Sequence, residues 1–76
     1  METLSLGERV ALARRRRKLT QRALAAQIGC QQSDIHRLEA GLVTDPHASR
    51  VVALAKALRT STDWLLGLKE GMDETV

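Results

Sequence analysis

Seventy-six residues suffice for one small domain, with no room for a second or for a deep substrate cavity. At 43% hydrophobic and 28% charged residues the composition is that of a globular domain and excludes a disordered or collagen-like chain. The net charge of +3 is unevenly spread: residues 1–30 carry seven basic groups against two acidic (+5), residues 31–76 five against seven (−2). A positive half favours a polyanionic partner, nucleic acid before an anionic membrane; its plainer reading is a solvated basic helix face.

The predicted elements, in chain order, are all helical. No alternating β-branched run bounded by hairpin turns occurs. Leu6, Val10 and Ala13, with Leu12 beside them, form an i, i+4, i+7 stripe that predicts a first helix ending near Arg17. Thr20 is placed to cap a second, with Leu24, Ala25 and Ile28 on its inner face and Gly29 just past its end. A short third helix fits Gln32 to Ala40, with Ile35 and Leu38 inward and Gly41 as its stop. Asp45-Pro46 reads as a cap followed by proline at the first helical position. The fourth helix then runs to Leu58 and buries Val51, Leu54 and Leu58. Ser61 caps a fifth, Thr62 to Leu66, with Asp63 near its positive end and Gly67 closing it. Residues 69–76 lose apolar periodicity and are expected to form a flexible tail.

Trp64 is the only aromatic residue, so the core is expected to be aliphatic. Cys30 is the only cysteine, which excludes an internal disulfide and a Cys-rich metal site and fits a reducing cytoplasm. Arg9 and the run from Arg14 interrupt any signal-like apolar stretch, and no segment approaches the ~20 apolar residues that span a bilayer. Cys30, His36 and His47 lack zinc-ligand spacing, and Cys30 and His36 fall on different helix faces with no acid to complete a triad. Neither catalysis nor a metal or cofactor is expected.

Two short helices joined around Gly29, the second polar on its outer face, are the sequence form of a helix-turn-helix, whose second helix lies in the DNA major groove. The segment TQRALAAQIGCQQSDIHRLEAG at 20–41 resembles the Cro/phage-repressor helix-turn-helix family, and so does its continuation through DP at 45–46 and LAKALRTSTDWLLGL at 54–68. The register runs without gaps through the motif. The resemblance implies an all-α, five-helix DNA-binding domain over residues 5–68 of a single-domain chain. It further implies a cytoplasmic, nucleoid-associated transcriptional repressor of bacterial or phage origin, acting as a homodimer on a palindromic operator in double-stranded DNA. No membrane and no small-molecule ligand are expected.

Residue roles follow where this sequence matches the family. Gln32 and Ser33 match base-reading positions; glutamine pairs bidentately with adenine, and Arg37, one turn beyond Ser33, can fork onto guanine or onto a phosphate. His36 shares this face. Gln21 matches a glutamine that bonds a phosphate and braces the recognition helix; Gln31, Arg15, Arg22, Thr44 and His47 are further phosphate candidates. Arg14 and Glu39 match an ion pair that locks the recognition helix to the body, a structural role. Ser61, Trp64 and Leu65 fall in the region that packs against the twofold mate, although Trp64 is expected mainly to close the core. Two departures stand out. Lys18 and Arg59 occupy places where relatives have glycine, which calls for positive φ, and the LVTDPH loop lacks the usual basic residues. The competing reading is an antitoxin or adaptor whose helix-turn-helix holds a partner protein; an exposed Leu65 or Leu66 favours an interface, and an adjacent toxin gene favours the antitoxin.

Overall fold

In a computed structural model, which describes residues 3–69, most helices begin where a short polar side chain satisfies the free N–H groups of a first turn. Ser5 opens α1 (Leu6–Arg16): its Oγ accepts from the Glu8 N–H at 3.1 Å, and the Glu8 carboxylate accepts from the Ser5 N–H at 2.8 Å. Thr20 caps α2 (Gln21–Ile28), accepting from the Ala23 N–H at 3.0 Å. Ser61 caps α5 (Thr62–Leu65) in the same way through the Trp64 N–H. Gln31 precedes α3 (Gln32–Glu39), where the Asp34 carboxylate accepts from the Gln31 N–H at 3.0 Å.

The fourth helix departs from expectation. It spans Ala48–Leu58 as α4, with His47 at its N-cap and no side-chain capping bond, so Asp45 is not the cap and Pro46 lies outside the helix. A start at Pro46 needs helical backbone at His47, which is instead extended (φ −59°, ψ 147°), while Pro46 packs into the cleft with Arg37 and Val43; Val51 is the first residue that α4 buries.

The core gathers Val10 and Ala13 from α1, Leu24 from α2, Ile35 and Leu38 from α3, Leu54 and Leu58 from α4, and Trp64 and Leu65 from α5. α2 and α3 form the helix-turn-helix; α1 and α4 pack against them from behind, and α5 closes the bundle between α1 and α4. Leu12, expected beside the buried stripe, is 42% exposed: it stands two residues from Val10, about 200° around the helix. The approach of α1 to α3 depends on Gly7. A Cβ there would collide with the Leu38 carbonyl oxygen and lie 3.1 Å from the Glu39 Cα.

Two turns confirm the backbone demands of the unusual residues. Lys18 after α1 and Arg59 after α4 have φ of 58° and 54°, left-handed values that glycine adopts without cost. Gly29, in the turn between α2 and α3, has φ 77° with open space where a Cβ would stand. No helix among the described residues is long and apolar enough to cross a membrane. Residues 70–76 of the expected tail lie outside the described part of the chain.

Candidate nucleic-acid interface

The site is built around one carboxylate. Glu39, at the end of α3, accepts from Arg14 Nε at 2.7 Å, from Arg14 Nη2 at 3.0 Å and from Gln21 Nε2 at 3.0 Å. Arg14 Nη1 donates to the Leu19 carbonyl oxygen at 2.8 Å. The Arg14 and Glu39 side chains are only 13% and 8% exposed. A forked guanidinium on a carboxylate is a directional contact as well as an ionic one. Here it joins α1, the turn before α2, and α3, while Gln21 adds α2. Burial pushes the Glu39 carboxyl upward, but the hydrogen bonds from Arg14 and Gln21, with the positive charge of Arg14, outweigh it and hold the group below the usual carboxylate range. The Glu39 hydrogen bond raises the already high pKa of Arg14.

So braced, α3 turns Ile35 and Leu38 inward and leaves Gln32, Ser33, His36 and Arg37 exposed. A shallow cleft of about 480 Å³, lined by Arg14, Thr20, Gln21, Arg22 and Gln32, brings the start of α2 beside the start of α3. Arg37 lines a smaller cleft, about 100 Å³, with Val43, Pro46 and Arg50. Gln31, Thr44 and His47 are exposed along the turn and loop that flank α3. Arg15 lines a groove on α1 with Leu4, Glu8, Leu12 and Glu39, and its positive charge helps to lower the Glu39 pKa.

The residues expected at a twofold contact are placed differently. Trp64 is 3% exposed and Leu65 0%, so both are spent on the core of the single chain, and Ser61 Oγ is engaged as the cap of α5. The exposed apolar groups at this end are Leu66 at 51% and Leu68 at 75%. Burial raises the thiol pKa of half-buried Cys30, as befits a small apolar group packed against the core. Among the described residues no group of His, Cys, Asp and Glu could hold a metal ion.

Sequence reasoning missed three supports of this site. The S-x-x-E spacing of Ser5 and Glu8 was a readable capping signal. Gly7 and Arg9 carried none, because their roles depend on which helix crosses α1. Arg9 is buried, its Nη1 donating to the Trp64 carbonyl oxygen at 3.0 Å and its guanidinium 5.0 Å from the Trp64 ring centre.

A helix pair joined at a left-handed glycine, the second helix presenting four exposed polar side chains and clamped through its terminal glutamate, defines a helix-turn-helix module. The helix-turn-helix domain family matches residues 5–65, and the chain belongs to its Cro/C1-type branch. It is 36% identical over 66 residues to repressor protein C2 of Salmonella phage P22; that match takes in 87% of this chain and 30% of the relative's length. The solution structure of the DNA-binding domain of the P22 C2 repressor superposes with a TM-score of 0.82 at 33% identity, covering 100% of this chain and 96% of that one. The crystal structure of the P22 c2 repressor in complex with a synthetic operator gives 0.79 at 34% identity, covering 84% and 96% respectively.

Proposed function

We propose that the chain binds double-stranded DNA in a sequence-specific manner and represses transcription as a homodimer on a palindromic operator, alongside the nucleoid in the cytoplasm. The observation that carries this reading is α3 itself: an exposed polar face of Gln32, Ser33, His36 and Arg37 on a helix held from three other segments by the Arg14–Glu39–Gln21 network. Side chains that read base edges must be held in register, and that rigidity has no use on a merely solvated face. The similarity to the P22 repressor, solved on its operator, supports the same use here.

In this reading Gln21, Gln31 and Arg22 fix register on phosphates beside the cleft that contains Gln32, joined by Thr44 and His47 from the loop that follows α3. Arg15, on the outer face of α1, adds sequence-independent attraction. The twofold contact falls to Leu66 and Leu68, with Ser61 near them. The mechanism is binding alone, with no catalytic step, metal, cofactor or small-molecule ligand.

The test is selection of bound duplexes from a random pool at two salt concentrations. A twofold motif with half-sites about 10 bp apart is the expected outcome. Salt-sensitive retention without enrichment overturns the reading and brings forward a protein partner as the ligand of the module. On the enriched duplex, Arg37→Ala should cost about 1–3 kcal/mol and relax preference at one base position. An equal loss on every sequence assigns Arg37 to phosphate.

A further inference from the structure

Arg9 is a charged side chain used in the interior. It is 8% exposed, donates from Nη1 to the Trp64 carbonyl oxygen at 3.0 Å and from Nε to the Leu4 carbonyl oxygen at 3.2 Å, and sits 5.0 Å from the Trp64 ring centre. Among the described residues no carboxylate pairs with it. A leucine or methionine would fill this space without the cost of removing a charge from water. What arginine adds is direction, since its planar fork fixes the bearing of whatever it bonds.

The fork reaches the turn that ends α5. The Gly67 N–H also donates to the Trp64 carbonyl oxygen, at 3.1 Å, and a Cβ on Gly67 would stand 3.9 Å from Arg9 Nε. This turn carries Leu66 and Leu68. Five residues further along α1, Arg14 grips Glu39 of α3. The two arginines are ~7.5 Å apart along the helix axis and about 140° apart around it, so one stiff helix joins the exposed-leucine turn to the reading helix.

We infer that Arg9 is a positioning residue: it sets the angle between the Leu66–Leu68 turn and α1, and so the separation of the two recognition helices and the half-site spacing that the dimer accepts. This rests on the dimeric operator reading above. The experiment titrates the wild type, Arg9→Met and Arg9→Lys against duplexes with the selected half-sites at the selected spacing, at one base pair more and one less, and against a single half-site. The wild type peaks at one spacing. Both variants lose about tenfold there, the worth of one charge-assisted hydrogen bond, lose far less at the neighbouring spacings, and bind the single half-site as the wild type does. An equal loss on every duplex, half-site included, makes Arg9 a stability residue only and overturns the inference. An unchanged peak does the same. If Arg9→Met fails to fold, Arg9→Lys, which keeps charge and most of the volume, decides alone. A wild type indifferent to spacing removes the dimeric reading itself, and the inference falls with it.

Discussion

At Glu39 three donors converge on one carboxylate, and their balance makes the fold acid-sensitive. Because the folded pKa lies below the ordinary value of 4.5, the stabilisation is complete above that pH and is lost as the pH falls through the folded value. Glu39→Gln should cost about 2 kcal/mol at neutral pH by leaving Arg14 without its counter-charge. Thermal melts across pH should show the wild type declining below pH 4.5, the variant flatter, and the two curves converging in acid. Parallel curves would place the acid sensitivity in other carboxylates, of which Glu8, lowered by its bonds to Ser5, is one. The Arg14–Glu39 pairing could be anticipated because the family resemblance places both residues. The resemblance also places Gln21 as a brace of the recognition helix, but not the atom it grips: an amide has two N–H groups, and the packing of α2 against α3 brings one of them to the Glu39 carboxylate. Arg9 was hidden for a similar reason. Charged residues on a helix usually face water, and nothing in its neighbours marks it as the exception.

Among the elements, starts and stops were readable wherever a local signal decides them. Thr20, Ser61 and Gly29 act through atoms within three or four residues, so their spacing in the chain is their geometry. The start of α4 was misjudged because Asp45-Pro46 offers a plausible local signal that packing overrides. The residues at positive φ offer a direct measurement. Arg59→Gly should raise stability by about 0.5–1 kcal/mol in a denaturant melt, since it relieves a left-handed residue at a helix end where the Arg59 side chain is exposed. A loss of stability would mean that the arginine side chain contributes more than the strain removes. Gly7→Ala tests the opposite case. Its methyl meets backbone of α3, which cannot swing aside as a side chain can, so a loss of about 1–3 kcal/mol is expected. Because the clash lies beside Glu39, binding to an enriched duplex should weaken beyond what the stability loss alone explains.

On the scale of the whole molecule, the fold class and the order of five helices follow from apolar spacing, while the twofold contact could not be placed. Trp64, Leu65 and Leu66 look alike as a run of apolar residues, and only the four-residue α5 sorts them, two inward and one outward. Leu66→Asp should therefore leave the melting curve within about 0.5 kcal/mol of wild type, as for an exposed site, and, under the homodimer proposed above, lower sedimentation to that of a single chain. A variant that still sediments as a pair would move the contact to another face. The uneven charge also acts at this scale: seven of the twelve basic residues precede residue 31, on and around α1 and α2, so association with DNA should weaken steeply with added salt.

The lone indole of the chain has a practical consequence. With no Tyr or Phe, all intrinsic fluorescence arises from Trp64, a buried ring under the Arg9 guanidinium at the joint of α1 and α5. Its emission is a reporter from one known place. A red shift that precedes the loss of helical circular dichroism would mark the joint loosening before the bundle melts, and the same signal, followed while DNA is added, would register whether a change at α3 is felt at the α1–α5 joint.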